Sequence, residues 1–572
     1  MRVLTSLPVC LGVLVLFNVP VSLHRWAATG DIRLLLVPAV ESVILVWILF
    51  LILRGPSLGR PRRRRQVGVG TLLGVFAGLS GAEAFFQYYY ARSFSLRGDL
   101  PMVRGALLLF FGEIGPVVYV LGPLTIILIL VILASAGSLL TAAASAILSR
   151  IKPGYPAILG MTLIALVPTA ALGPPSSITV ATVRATLRAG TTELVDLGLD
   201  AEPDGTGLDG VYAEDRRGEE HYPERYPVET TEVDAPEASR YRLPGLRDRD
   251  IHVFVIEAYG YASTYRPELT EHLDPYRYRL EEALQSAGYD IVTQYLQSPV
   301  AGGYSWLADA TFLTGQWINS QERFLQLYDA QVPSLGGMLH DAGYHTFTVR
   351  PGTVHEPWPE GWDLFRFEES MIAYGGGFAY RGPRFSYVSV PDQYAIWKGH
   401  QRVQELTAAG STASEQPLFV HYQLVSSHTP FNRIPPFIER WEDLDGGEIY
   451  NERAGEIQYF DNTWTGGTEL IEGYTASIQY VFTVLTDYVE RVMEHSRDPI
   501  IVIFGDHEPQ RPIRSAQSVL SVPVHVASRD GQLLRCLGEH GYDAGIKPDQ
   551  PPPHDRLSTF FPTLMDVAQT CN

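Results

Sequence analysis

Four side chains in the second half of this sequence have types and spacings suited to chemistry on a divalent cation. The apolar run Val253-Phe254-Val255-Ile256 stops at the carboxylate of Glu257, and Ile501-Val502-Ile503-Phe504 stops at Gly505, followed by Asp506 and His507. Carboxylate oxygens and an imidazole nitrogen are donors that such cations accept. Between these runs, Gly302-Gly303-Tyr304-Ser305 opens an apolar helical pattern ending at Leu313-Thr314-Gly315. A hydroxyl at a helix N-terminus is commonly a cap. Beside a cation it is also a nucleophile, and the helix end favours the oxygens of a phosphoryl or sulfuryl group. Singly, an Asp-His pair after a strand and a serine at a helix start are ordinary structural features, and both readings stay open from the residues alone.

Other residues carry less specific signals. Arg350 closes an apolar run, where a guanidinium can hold a phosphate oxygen bidentately or form a surface salt bridge. The segment from His355 through Trp358 to Trp362 can build an aromatic wall against a glycerol or sugar, or simply pack. His421 and His525 lie inside apolar runs and read as core histidines. A second metal site has no complete ligand set, although His428 and His554 are potential contributors.

The elements that must position these residues are legible as short apolar runs bounded by turn residues. Strands are expected at Ile251–Glu257, Tyr289–Gln294, Thr346–Arg350, Leu418–Val425, Ile500–Phe504 and Val522–Ala527. Helical patterns lie at Glu281–Gly288, Leu335–Gly343 and from about Glu469 to His495. Alternation of this kind predicts an α/β domain over 251–572 with a mainly parallel central sheet. Ligands of such sheets bind beyond the carboxyl ends of the strands, which is where Glu257 and the Asp506-His507 pair stand.

The first third of the 572 residues is different in kind. Apolar stretches at 3–23, 34–53, 67–90, within 114–149, and 155–172 predict five transmembrane helices over 1–173, since a span needs about 20 apolar residues. Two basic segments, Arg60–Arg65 and Arg150/Lys152, belong on the cytoplasmic side, which places the N-terminus inside and everything after Leu172 outside. The alternative reading of residues 1–23 as a cleaved signal peptide lacks a clear cleavage site. Glu83 and Glu113 interrupt the apolar stretches and are expected at interfaces or in local pairs. Residues 174–250 include a polar, acidic segment rich in Pro and Gly and read as an extracytoplasmic linker. A formal charge of −19 argues against nucleic acid as a partner. Of the three cysteines, Cys10 lies in an apolar run, while Cys536 and Cys571 are either paired or free.

The order strand–Glu257, Gly-x-Ser305 about 50 residues on, and Gly505-Asp506-His507 near the end resembles the alkaline phosphatase–sulfatase superfamily. Its closest likeness there is to lipoteichoic acid synthases and related phosphoglycerol or phosphoethanolamine transferases, which also place five spans before an extracytoplasmic sulfatase-like domain. The resemblance implies that Glu257, Ser305, Asp506 and His507 bind one divalent metal, Mn²⁺ before Mg²⁺ or Zn²⁺. It implies that Ser305 is the nucleophile and that His428, in Ser427-His428-Thr429-Pro430-Phe431, contacts substrate. Phe561-Pro562-Thr563-Leu564-Met565-Asp566 is similar to a helix common in the superfamily. The partners implied are a membrane phospholipid donor and a glycan, lipid or polymer acceptor. Departures are visible. Ser stands where the transferases usually have Thr, and Leu307-Ala308-Asp309 replaces the Pro-Ser-Arg of sulfatases. A membrane-bound sulfatase or phosphodiesterase is the alternative, and an inactive membrane scaffold is the alternative of another class.

Overall fold

The computed structural model describes residues 2–23, 39–54, 62–90, 94, 99, 118–151, 155–162, 243–246 and 249–571, apart from short segments at 355–358, 386, 388–389, 409–410, 412, 414, 464–465, 494–497, 516–519 and 549–554. The chain divides into two compact units, Met1–Pro227 and Val228–Asn572.

In the first unit the apolar stretches form α1 (Arg2–Val21), α2 (Val40–Arg54), α3 (Arg62–Tyr90) and α4 (Val118–Ile151). A further helix covers 155–162; the rest of the fifth expected span lies outside the described residues. Among the described residues two segments, Gln66–Tyr90 and Val131–Ile151, are long and apolar enough to cross a membrane, and Ser6–Val21 and Glu41–Leu53 are shorter apolar helices. Close packing of α3 on α4 depends on glycine. A Cβ on Gly137 would sit 2.0 Å from the Gly70 carbonyl oxygen, and one on Gly74 would sit 2.4 Å from that of Leu133, so only small residues let these backbones meet. Glu83 is paired locally, as its position suggested: its carboxylate accepts from Gln87 Nε2 at 3.0 Å and from the Phe94 amide at 2.7 Å. Glu113 and residues 174–242 of the expected linker lie outside the described residues.

The second unit is built on an eight-stranded sheet. Its strands are β1 (Ile251–Ile256), β2 (Asp290–Gln297), β3 (His345–Arg350), β4 (Glu369–Ile372), β5 (Leu418–Leu424), β6 (Ile500–Gly505), β7 (Ser521–Ser528) and β8 (Asp543–Ala544). Their order is β8-β2-β7-β6-β1-β5-β3-β4. Pairings from β6 through β1, β5 and β3 to β4 are parallel; β7 and β8 run antiparallel to their neighbours. The six strands expected from sequence all form. β4 and β8 were not expected, because short polar edge strands such as Glu369-Ser370-Met371-Ile372 carry no apolar run.

Helices cover both faces. On one lie α5 (Pro267–Ser286), α8 (Asp392–Thr407) and α9 (Leu470–Asp487); on the other, α6 (Ser305–Thr314), α7 (Leu335–Asp341), α10 (Gly531–Glu539) and α11 (Phe560–Thr570). Alternate residues of β1 divide accordingly: Phe254 and Ile256 enter one core, Val253 and Val255 the other. Burial on both sides is why the central strands read as unbroken apolar runs rather than alternating ones. α5 begins earlier than its sequence pattern, since Pro275 inside it is a residue that usually ends helices. Cys536, on α10, and Cys571, just past α11, form a disulfide with Cα atoms 6.5 Å apart.

Two core histidines make the fold sensitive to acid. His252 on β1 is fully buried with neither ring nitrogen hydrogen-bonded, while His525 on β7 meets Tyr259 and Thr293. Burial, reinforced by the charge of His400 for the first and of Arg277 for the second, pulls both imidazoles down to about 3. The unfolded chain therefore binds more protons below the ordinary imidazole range. The stability contributed by neutral His252 and His525 is complete above that range and is lost as pH falls toward 3. Each should contribute a slope of roughly 1.4 kcal/mol per pH unit in that window. Denaturant unfolding of the chain at pH 7, 6 and 5 should show a shallower decline for His252→Leu than for the unsubstituted chain; equal slopes would contradict this account.

Candidate active site

The parallel register sets Ile256 of β1 opposite Gly505 of β6, so Glu257 and Asp506 leave the sheet side by side at its carboxyl edge. Both are buried, at 4% and 1% exposure, as is His507 at 2%. Gly505 is required there because a Cβ would sit 1.8 Å from the Tyr259 carbonyl oxygen. Asp506 Oδ1 accepts the amides of Ala258 at 2.8 Å and of His507 at 2.7 Å, fixing both strand ends on one carboxylate. Carbonyls of the two turns are tied in turn: Ser427 Oγ donates to the Glu257 oxygen at 2.7 Å and Ser298 Oγ to that of Asp506 at 2.6 Å.

Ser305 arrives from another element. Gly302, Gly303 and Tyr304 have consecutive positive φ of 67°, 146° and 66°, a reversal that glycine permits at little cost and that is strained at Tyr304. The turn sets Ser305 at the first position of α6. Its Oγ donates to Glu257 Oε2 at 2.9 Å and lies 3.3 Å from His507 Nε2. His507 Nε2 is 3.1 Å from Glu257 Oε1 and 3.6 Å from Asp506 Oδ2. All four residues that the sequence singled out are thus brought to one point.

The electrostatics of this cluster call for a cation. Burial and then the Glu257 charge push the Asp506 carboxyl well above the carboxylate range. His507 is raised to about 9, because the charges of Asp506 and Glu257 outweigh the burial that would lower it. Asp506 Oδ2 is buried without a hydrogen bond. Ligand atoms from Glu257, Asp506 and His507 lie within 4.8 Å of one another, the one such trio among the described residues. His507 Nδ1 sits 2.9 Å from the Glu508 carbonyl oxygen; donation there leaves Nε2 as the ligand atom, the second contact that metal-binding histidines usually make. Two carboxylates, an imidazole and a hydroxyl suit Mn²⁺, Mg²⁺ or Zn²⁺.

The other expected site residues divide. His428 lies at the rim, with Nε2 3.9 Å from Glu257 Oε1 and Nδ1 2.6 Å from the Thr429 carbonyl oxygen. Its ring stacks on Tyr387, with centroids 3.9 Å apart at 16°. Arg350 takes the salt-bridge reading in a buried form: it is 1% exposed, and its guanidinium binds Asp309, Gln423 and Thr348. A guanidinium sealed into that network is not one held out to a phosphate. Trp358 and His554 lie outside the described residues, whereas Trp362 has its ring 5.4 Å from Arg350 Cζ. The sequence reading missed Tyr387, which stands in a loop with no periodic signal. It missed Asp392 as well, whose buried carboxylate accepts the Val425 and Ser426 amides just before the His428 segment. Asp309 was in view only as a departure from sulfatases; a lone acid in an apolar helix was the signal available.

No protein-family model matches the chain, and no curated protein matches it. Among solved structures it is similar to the lipoteichoic acid synthase LtaP from Listeria monocytogenes, at 15% identity and a TM-score of 0.34 over 56% of this chain and 72% of that one. It is similar to the C-terminal periplasmic domain of EptC from Escherichia coli in complex with Zn, at 15% identity and a TM-score of 0.35 over 56% of this chain and 82% of that one. The Streptococcus pyogenes phosphoglycerol transferase GacH in complex with sn-glycerol-1-phosphate gives 12% identity and a TM-score of 0.35 over 61% of this chain and 94% of that one. Likeness of this extent says nothing by itself about the chemistry of the present site, which has to be read from its own side chains.

Because His507 is raised to about 9 and Asp506 well above its usual range, a cation binding at pH 7 must displace protons. Mn²⁺ titrated calorimetrically into the full chain, in buffers of different ionisation enthalpy, should release at least one proton, and affinity should rise with pH toward 9. Asp506→Asn should abolish binding. Proton-neutral binding would contradict this assignment of ligands.

Proposed function

We propose that this chain is a membrane-anchored, metal-dependent enzyme of the alkaline phosphatase–sulfatase type that transfers a phospho-headgroup, phosphoglycerol or phosphoethanolamine, from a lipid donor. The observation that carries the reading is Ser305 Oγ, 2.9 Å from Glu257 and 3.3 Å from His507, at the half-buried mouth of the acid–imidazole cluster. A nucleophilic hydroxyl placed on a ligand set is what a two-step phosphoryl transfer needs.

Glu257, Asp506 and His507, with Ser305 Oγ, would hold one divalent ion. When bound, that ion supplies charge neutralisation at the phosphoryl oxygens and favours the ionised hydroxyl. Ser305 Oγ would lose its proton to solvent at the half-buried mouth. Glu257, whose burial is outweighed by His428 and His507 so that its carboxyl is held at about 2, keeps the contact that orients the hydroxyl. A new Oγ–P bond forms, the P–O bond to the diacylglycerol oxygen breaks, and that oxygen takes a proton. His428, steadied by Tyr387 and with Nδ1 committed to the Thr429 carbonyl, presents Nε2 to a phosphate oxygen or to the departing oxygen. An alcohol of a glycan, lipid or polymer would then attack phosphorus: the new O–P bond forms, the Oγ–P bond breaks to free Ser305, and the alcohol's proton leaves by way of His428 Nε2. Because Ser305 is half-buried rather than sealed, water is the competing acceptor, and hydrolysis of phosphate or sulfate esters is the second reading.

Location follows the same proposal. The apolar helices of the first unit anchor the chain in the cell membrane as a multi-pass protein, and the linker and catalytic unit stand outside the cytoplasm. The Cys536–Cys571 disulfide supports that side, since such bonds persist in oxidising compartments.

Intact-mass analysis of the full chain after incubation with phosphatidylglycerol or phosphatidylethanolamine and Mn²⁺ tests the reading. A mass increment is expected, mapped to Ser305 and absent from Ser305→Ala, and its size names the group. Turnover of a soluble ester with no adduct from either lipid would favour the hydrolytic reading. Neither adduct nor turnover would reject both.

A further inference from the structure

Helix α6 carries a second functional group that the proposed chemistry leaves unused. Asp309 stands one turn beyond Ser305, about 6 Å along the axis, and is 0% exposed in a helix otherwise made of apolar residues, serine and threonine. Its two oxygens are both committed. Oδ2 accepts from Arg350 Nη2 at 2.5 Å, and Oδ1 lies 2.8 Å from His421 Nε2. Arg350 also donates to Thr348 Oγ1 at 3.1 Å and to Gln423 Oε1 at 3.0 Å. Thr348 and Arg350 belong to β3, His421 and Gln423 to β5, and the register sets Thr348 opposite His421. Burial would raise the Asp309 carboxyl, but Arg350 and then His421 outweigh it and hold the group at about 2. A leucine would fill such a position without desolvating a charge, so packing alone does not account for an acid here.

The mounting of the site supplies the reason. Glu257 follows β1, and Asp506 and His507 follow β6, so hydrogen bonding between those two strands fixes their spacing. Ser305 is the one member carried by a helix. Apolar contacts against the sheet tolerate sliding and rotation of a helix, whereas a carboxylate held by two donors on two strands does not. Moreover β5 leads into Ser427, whose hydroxyl binds the Glu257 carbonyl. The strand that holds Asp309 therefore also holds the turn that presents the Ser305 partner.

We propose that Asp309, clamped between Arg350 and His421, is a positioning residue that sets the rotation and height of α6 and thereby places Ser305 Oγ on the ligand cluster. The inference rests on Ser305 being directed at a bound cation. Its test uses Mn²⁺ affinity, measured on the full chain in detergent for four forms: unsubstituted, Ser305→Ala, Asp309→Asn, and both together. Asp309→Asn should weaken Mn²⁺ binding about as much as Ser305→Ala does, on the order of tenfold, and should cause no further loss once Ser305 is Ala. A merely structural role would weaken binding equally in both backgrounds, and that result, or no weakening at all, would overturn the proposal.

Should Asp309→Asn fail to fold with Arg350 left unpaired, Asp309→Leu combined with Arg350→Met removes both charges, a replacement that buried pairs often tolerate. It should show the same dependence on Ser305. With bis(4-nitrophenyl) phosphate as the probe, kcat should fall about 100-fold with KM nearly unchanged, as for a misplaced nucleophile. If the unsubstituted chain binds no Mn²⁺, the metal reading of the site falls, and the part of the inference that concerns the setting of α6 is still decided by hydrogen exchange. Asp309→Asn should then speed exchange at residues 308–312 and leave β1 and β6 unchanged; uniform loosening of all three would overturn it.

Discussion

The second unit depends on the parallel contact between β1 and β6. Two strands buried on both faces run side by side and end together, so the residues that follow them, Glu257 and Asp506, are delivered to one desolvated point. Like charges there cannot both persist without a counterion. A large share of the site's architecture answers that single problem: backbone amides on Asp506 Oδ1, an imidazole between the carboxylates, and a hydroxyl aimed at Glu257. The same crowding that raises Asp506 and His507 would be relieved by a divalent ion at the centre.

Around this point the structure separates two tasks. Strand ends hold the groups whose mutual distances must be fixed, using hydrogen bonds that cannot slip without breaking the sheet. A helix brings in the hydroxyl, which in a two-step transfer must be both ligand and nucleophile. The Asp309–Arg350–His421 cluster joins the two systems across β3 and β5. It is buried and fully hydrogen-bonded on Asp309, the condition under which a charge cluster specifies geometry rather than only destabilising the core.

In the proposed function, membrane anchoring and the transfer reaction would be linked by chemistry. A lipid donor presents its phosphodiester at the bilayer surface, so a tethered enzyme gains effective concentration of substrate. The glycine-dependent packing of α3 on α4 and the locally paired Glu83 would suit helices in an apolar surround, as that proposal requires.

Much of this was legible before any coordinates. The six longest strand patterns and the α/β class follow from local features, apolar runs that end in polar residues, while the grouping of Glu257, Ser305, Asp506 and His507 came from the order of short motifs that resembles a known superfamily. These signals are short-range, and buried parallel strands write them plainly. What sequence could not supply was the partner of each long side chain. Arg350 reads identically whether it reaches outward to a phosphate or inward to Asp309, because the choice is set by which helix lies over β3. Tyr387 against His428, Asp392 under the same segment, the Cys536–Cys571 pair and the edge strands β4 and β8 are likewise contacts between residues distant in the chain or elements with no apolar run. Periodicity encodes which face of an element is buried; only the packed structure decides what that face meets.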